Sequence, residues 1–490
     1  MHDGILQHIA EKVKEKVTEL LVGMYETLAF AEVEQVLRTL TQEVVAEIVA
    51  PVLNEVLQDP GLLHRLKEAA KPLGYRFIGY RSLSVRVLCG VEVEVRSPYF
   101  GKVGRKRGRK KRGPNGRGCH LLLEVLGFIG RVSPGLVDEA VQMALLCPSF
   151  EVARQVLGAR QCVVDEKTLR RLCREVGRRG MEQRATIALE PGISVAGRTV
   201  CIGIDGGRLR TRKAKRGRKR AEQTRQGYDT PWREPKLFTI YVLDAQGRVE
   251  RSWTPYHDAT LGDADAMFAL LEAVLRALHI EAAARVVFLG DGAPWIWERV
   301  EPLSWKLGVS PERVVQVLDY YHVTEALWAL VELQPALSDE ERRQRYAAWK
   351  RLLWEGKLAD LRQAVLRHLK RTARQAALTT LEHFATHAPR TQYQQIKAQG
   401  LPIGSGCVES AIRRVINLRL KAPGTFWTPD MAECFLFLRS QLIAGRWRIF
   451  MTNLTGRYRI SEMAPHLFPS PSAHSEATAM LKTGTDDNYE

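Results

Sequence analysis

Three short apolar runs, each closed by an aspartate, constrain this chain more than any other feature. VCIGI (200–204) leads into Asp205, RVVFLG (285–290) into Asp291, and RVVQVL (313–318) into Asp319. Short runs rich in Val and Ile, without polar alternation, read as strands covered on both faces. LFTIYVL (237–243) and RVERSW (248–253) read as two more strands. GDADAMFALLEAVLRALHI (262–280) and PWIWERVEPLSWKLG (294–308) carry the helical period between them.

Three strands, helix, strand, helix, strand is the order of a ribonuclease-H-like α/β sheet. Residues 324–400 follow with helical pattern only, and from about Ser461 the chain turns polar and reads as a disordered tail. With 490 residues, a scale of ~150 residues per domain predicts about three domains.

The first half reads differently. Ile5, Ile9, Val13, Val17, Leu20, Met24 and Leu28 recur at spacings of three and four, and Val33, Val36, Leu37, Leu40, Val44 and Ile48 extend the stripe to Pro51. Such a stripe needs a partner, either within a helical bundle or in a second copy. Residues 75–98 switch to period two around Gly90, the pattern of a β-hairpin with basic residues on its polar face. In SFEVARQVLGARQCVVDEKTLRRLCREVG (149–177) a first helix ends at Gly158. Asp165 can cap a second that turns Lys167, Arg170, Arg171 and Arg174 outward and Leu169 and Leu172 inward. That is the shape of a helix-turn-helix, although any two short helices share it.

Charge separates the partner classes. Lys+Arg number 73 against 55 Asp+Glu, a net charge of +18. Two acid-free runs account for all of it. Residues 102–117 hold nine basic residues, among them Arg105, Lys106, Arg107, Arg109, Lys110, Lys111 and Arg112. Residues 208–220 hold another nine, including Lys213, Lys215, Arg216, Arg218, Lys219 and Arg220. Both runs are punctuated by glycine and lack apolar periodicity, so both read as solvated loops, linkers or contacts to a phosphate backbone. A pI of about 9.6 argues for a polyanionic partner. No apolar run approaches the ~18 residues of a membrane span, and no signal peptide is visible at the start. Eight cysteines without a CxxC pair predict neither a disulfide framework nor a zinc ribbon, and point to a reducing cytosol.

The three aspartates fall at the carboxyl ends of strands, where open α/β sheets build their sites. Carboxylates gathered there repel one another unless a cation neutralises them. Mg²⁺ takes oxygen ligands and keeps positions open for phosphate oxygens, and two ions ~4 Å apart suit in-line phosphoryl transfer. One ion activates the attacking hydroxyl and the other stabilises the leaving oxygen. GSGCVESAIRRVINLRLK (404–421) offers a further acid, Glu409, one turn into a basic helix with Arg413 and Arg414 beyond it. Any one of these aspartates taken alone also reads as a turn residue or helix cap. His322, three residues after Asp319, lacks a second His or Cys at zinc-ligand spacing.

Five segments then resemble a known family in the same order: IDGGRLRTR (204–212), WREPKLFTIYVLD (232–244), LGDGAPWIWERV (289–300), VLDYYHVTEAL (317–327) and LPIGSGCVESAIRRVINLRLKAPGTFW (401–427). They are similar to bacterial DDE insertion-sequence transposases of the Kra type, relatives of the Mutator-like transposases. The resemblance spans about residues 198–450. It implies an α/β ribonuclease-H-like catalytic domain with an all-helical insertion before the last acid. It implies Asp205, Asp291 and Glu409 as catalytic metal ligands, with Asp319 and His322 as an Asp-x-x-His motif beside them. Two Mg²⁺ ions, or Mn²⁺ in their place, are the implied cofactors, and double-stranded DNA (element ends and target) is the implied substrate.

The expected organisation is a helical, oligomerising region at 1–74, a β-hairpin and basic linker at 75–118, and a helix-turn-helix-like DNA-binding domain at 119–185. The catalytic domain follows at 195–323 and 401–455, split by the helical insertion at 324–400, with a disordered tail at 456–490. The expected protein is a homo-oligomer on DNA, cytoplasmic and nucleoid-associated. The alternatives are a nuclease or junction resolvase of the same fold, and a non-catalytic DNA-binding regulator derived from a transposase.

Overall fold

The computed structural model describes residues 2–27, 30–102, 118–184, 193–215 and 227–455. Arg105 to Arg112, Arg216 to Arg220 and the expected tail therefore lie outside the described residues. The chain forms two units, Met1–Val176 with Phe450–Glu490, and Gly177–Ile449.

In the first unit α1 (His2–Thr27) and α2 (Phe30–Gln58) are linked by Lys12, which reaches Glu47 at 2.6 Å and Glu43 at 3.0 Å. Pro51 lies inside α2 and does not end it. A proline there removes one helical hydrogen bond. The helix continues because Val45, Ala46, Val49, Ala50 and Leu53 pack against an apolar cluster that includes Val85, Val93, Val95 and Phe100. A third helix, α3 (Pro60–Ala70), starts at Asp59, whose carboxylate accepts from the Leu62 N–H. The hairpin pairs β1 (Tyr75–Arg86) with β2 (Glu92–Lys102) in antiparallel register, and β3 (Gly118–Cys119) adds a short edge. Asn54 of α2 binds β2 like a further strand, donating to the Glu94 carbonyl and accepting from the Arg96 N–H at 2.7 Å.

Four helices follow: α4 (Leu121–Val125), α5 (Pro134–Leu146), α6 (Phe150–Ala159) and α7 (Glu166–Glu182). Ser149 caps α6 through the Val152 N–H, and Asp165 accepts from both the N–H and the hydroxyl of Thr168 at 2.8 Å. Leu169 and Leu172 are buried, while Arg170, Arg171 and Arg174 are exposed.

The second unit is a mixed α/β body. β4 (Thr199–Gly206) is followed by a ribbon that pairs β5 (Leu209–Arg210) with β8 (Trp232–Arg233) and β6 (Lys213–Ala214) with β7 (Tyr228–Asp229). β9 (Lys236–Leu243), β10 (Tyr256–Thr260), α8 (Ala264–Ala277), β11 (Arg285–Gly290), α9 (Pro294–Lys306) and β12 (Val314–Leu318) complete the sheet region. The sheet order is β10-β9-β4-β11-β12. β9 is antiparallel to both neighbours, and β4, β11 and β12 run parallel.

One strand differs from expectation. Arg248–Trp253 is not the third strand; that place belongs to Tyr256–Thr260. The Asp244 carboxylate accepts from the Gln246 and Arg248 N–H groups and turns the chain before Val249, which makes only an isolated bridge to Leu243. The true strand, YHDAT, hid its character behind three buried polar residues, His257, Asp258 and Thr260. His257 bonds Thr239 at 2.7 Å, and Asp258 is paired with Arg184.

Five helices lie between β12 and the last acid: α10 (Tyr320–Glu332), α11 (Asp339–Trp354), α12 (Leu358–His368), α13 (Arg371–Thr386) and α14 (Tyr393–Ala398). Their apolar faces join the sheet's core through Leu327, Trp349, Leu361, Leu381 and Phe384. α15 (Gly406–Ile412) then passes into a π-turn at Arg413–Asn417, and α16 (Pro429–Ile443) packs against β10. Buried Arg439 of α16 donates to the carbonyls of Val415 and Arg414, which the wider turn would otherwise leave without partners. The last helix is α17 (Trp447–Thr455).

Candidate metal and nucleic-acid site

Parallel register brings the three strand-end aspartates together. Gly290 of β11 stands opposite Ile204 of β4 and Leu318 of β12, so Asp205, Asp291 and Asp319 leave adjacent strands at one edge. The Asp319 N–H donates to the Gly290 carbonyl at 2.9 Å, extending the ladder to the last of them.

Glu409 reaches this edge from far along the chain. The Tyr320 N–H donates to the Ile403 carbonyl at 2.9 Å, which ties the 401–405 segment to the head of α10. Asp319, wholly buried, accepts from the Ser405 N–H at 3.1 Å and from the Ser405 hydroxyl. That hydroxyl also lies 2.9 Å from Glu409 Oε1. It has one proton for two carboxylates, so it bridges them. Val408 on the same helix is buried against Gly203, where a Cβ would stand 2.9 Å from Val408 Cβ. Only glycine lets α15 come this close to the strand that carries Asp205.

Ligand atoms of Asp319, His322 and Glu409 all lie within 4.8 Å of one another. Asp319 is nonetheless heavily committed. Its oxygens receive the Tyr321 N–H at 2.7 Å, both Ser405 donors, and His322 Nδ1 at 3.2 Å. A carboxylate has about four lone-pair sites, so little of Asp319 is left for an ion. Asp205 and Asp291 carry lighter loads: Asp205 accepts from the Gly206 N–H at 2.6 Å, and Asp291 from the Ala293 N–H at 3.0 Å.

The electrostatics follow from this crowding. Burial pushes the Asp205 carboxyl up to about 6; the Gly206 N–H opposes this, and the charges of Asp291 and Glu409 add to it. The hydrogen bond to Asp319 lifts the His322 imidazole to about 9, against burial and with help from the charges of Asp319, Asp205 and Asp291. Excess negative charge around a protonated histidine is a setting in which a divalent cation fits. Asp205, Asp291, Asp319 and Glu409 are the carboxylates of this edge, and the ligand atoms of Asp319, His322 and Glu409 are the ones that lie together.

The remaining expected residues fall into two groups. Arg170 is exposed but engaged, 2.8 Å from Glu166 and over the Phe150 ring at 4.6 Å. Lys213 and Lys215 lie on the ribbon after β4, where Lys215 stands 3.5 Å from Asp229. Two arginines of this ribbon that went unsingled in the sequence stack on aromatics, Arg210 over Trp232 at 4.7 Å and Arg212 over Tyr228 at 4.8 Å. Sequence reading also missed Ser405, Trp297, His387 and Arg390. The i, i+4 spacing of His383 and His387 on a helical pattern was the one visible signal for the last group.

The chain belongs to the Uncharacterised protein family (UPF0236), which matches residues 24–428. No curated protein matches it. Among solved structures it is similar to the Drosophila P element transposase strand transfer complex, at 10% identity over 70% of this chain and 85% of that one, with a TM-score of 0.24. Among the described residues, no helix is long and apolar enough to cross a membrane.

Proposed function

We propose that this protein is a DNA transposase that binds the ends of an insertion element and performs metal-dependent strand cleavage and strand transfer. The observation that carries the reading is the convergence of Asp205, Asp291 and Glu409 on one sheet edge, two from adjacent parallel strands and one from a helix over 100 residues later. The strand order β10-β9-β4-β11-β12, with β9 antiparallel to its neighbours, supports reading the sheet as ribonuclease-H-like and the helices between β12 and α15 as an insertion. The five segments that resemble DDE transposases contain each of these acids.

In this reading Asp205, Asp291 and Glu409 would hold Mg²⁺ or Mn²⁺, which when bound supplies activation of the attacking hydroxyl and stabilisation of the leaving oxygen. Asp319 and Ser405 orient His322 and Glu409 from behind. The ribbon's Arg210, Arg212, Lys213 and Lys215 provide backbone contacts that carry no sequence information. The hairpin and α7 are elements of a size that fits a major groove, with Arg170, Arg171 and Arg174 as the candidate readers. Exposed Leu21, Val22, Leu37, Ile48 and Val52 on α1 and α2 support a homo-oligomer on DNA.

A strand-transfer assay with labelled element ends and a supercoiled target tests this. Joined products are expected, and Asp205→Asn, Asp291→Asn or Glu409→Gln should each abolish them while DNA binding stays near wild type. Nicks without joining would replace this reading with a nuclease, and retarded bands without cleavage would replace it with a non-catalytic regulator.

A further inference from the structure

Asp291 sits at the start of a turn with few local restraints, yet its position matters most if the edge binds a cation. The restraints come from the helical segment between β12 and α15. His387, just past α13, is 5% exposed, and its ring lies 4.7 Å from that of His383 and 6.2 Å from that of Trp297. Its Nδ1 lies 3.1 Å from Arg390 Nη1. Because the guanidinium can only donate, Nδ1 accepts, and the other ring nitrogen keeps the proton. Arg390 donates through Nε to Gln316 of β12 at 2.7 Å and stacks over the Trp297 ring at 4.7 Å. Trp297 in turn donates through Nε1 to the Asp291 carbonyl at 2.7 Å. His383, one turn before His387, lies against Gly292 so closely that a Cβ there would stand 1.9 Å from its ring.

We propose that the helical segment is a positioning device for Asp291: Arg390, anchored by His387 and Gln316, holds the Asp291–Ala293 turn from outside the sheet through Trp297, while His383 packs against Gly292. The segment thereby makes the geometry of the acid edge depend on helices that contribute no acid to it. Gly292 is required because any side chain would displace His383. His387 acts through another group and is a positioning residue. Its value for catalysis rests on the transposase reading; its hold on the turn does not.

The test compares the full chain with His387→Leu, which keeps the bulk and loses the bond to Arg390, and His387→Gln, which retains an acceptor for it. Arg390→Met serves as a second variant on a partly exposed side chain. Amide hydrogen exchange of a peptide covering 290–298 is expected to quicken about tenfold in His387→Leu, to return in His387→Gln, and to leave the β4 peptide 199–206 unchanged. Metal-dependent cleavage in His387→Leu should lose about 10–100-fold in kcat with DNA affinity preserved, the usual cost of losing an outer partner of a metal ligand. Exchange at 290–298 that stays at wild-type rate in both His387→Leu and Arg390→Met overturns the proposal. Equal behaviour of the Leu and Gln variants overturns it too, since the bond would then be irrelevant. If the wild-type protein neither cleaves DNA nor binds Mn²⁺, the transposase reading falls, and the exchange measurement alone decides whether the helices hold this turn.

Discussion

Gly203 is where a single methyl group should disable the site at a distance. It lies within β4, two residues before Asp205, and faces the helix that carries Glu409. A Cβ at this position would stand 2.9 Å from Val408 Cβ and 3.2 Å from Thr239 Cγ2. Carbon atoms settle at about 3.5–4.0 Å, so Gly203→Ala demands a retreat of roughly 0.6–1.1 Å by α15 or the strand. Neither yields easily, because Val408, Thr239 and Ile202 are buried and the helix is tied to Asp319 through Ser405. Overpacking of this kind costs about 1–3 kcal/mol. The displacement itself matters more, since a misplacement of about 1 Å at a catalytic group lowers turnover by about 10²-fold. Gly203→Ala should therefore lower cleavage by about two orders of magnitude and reduce the melting temperature, while DNA affinity holds. Val408→Ala restores the missing space. The double variant should recover turnover above Gly203→Ala alone, a non-additivity expected of residues in contact. Wild-type turnover in Gly203→Ala, or a double variant no better than the single one, would refute the close approach of α15 to β4 as the reason for glycine.

Three further outcomes are expected. Mn²⁺ affinity should rise with pH: Asp205 gains its charge as pH passes about 6, and His322 loses its charge as pH passes about 9, both of which favour a dication. His322→Gln should remove the upper limb of that rise in a calorimetric titration, and an unchanged limb would show that the imidazole is not felt at the site. Arg184→Met leaves Asp258 (1% exposed) and Glu433 without their shared cation, and should destabilise the second unit by about 3–5 kcal/mol, read as a lower melting temperature. Neutralising Lys106, Arg107, Arg109, Lys110 and Lys111 should weaken binding to all DNA sequences alike and flatten log K against log salt by about 0.9 per lost phosphate contact; an unaltered slope would make that run a linker only.

The sheet was legible because β4 and β11 are buried on both faces and the edge strand β12 is partly so, and a Val/Ile-rich run followed by Asp has few other meanings. β10 was illegible for the converse reason. A core strand that carries His257 and Asp258 relies on Thr239 and Arg184, residues outside the strand, to partner them, so the sequence pattern pointed to Arg248–Trp253 instead. Pro51 misleads in a similar way. Its local cost is real, but one lost hydrogen bond is small beside an apolar flank laid on a hairpin core.

The acid edge divides along the same line. Asp205, Asp291 and Asp319 could be read because each follows its own strand, and parallel strands align their ends. Which of them keeps free lone pairs could not be read, because that depends on donors brought by Ser405, Tyr321 and His322. Ser405 shows why. In sequence it is a small residue in a glycine-rich turn, and nothing marks it. In the fold its hydroxyl stands between Asp319 and Glu409, so two acids separated by 90 positions share one proton donor. The same logic extends to His387 and Arg390, which have no motif of their own. Their contribution lies in what they leave Asp291 free to do: its carbonyl is held by Trp297, on which Arg390 stacks, so only one carboxylate oxygen is engaged in the turn, by the Ala293 N–H.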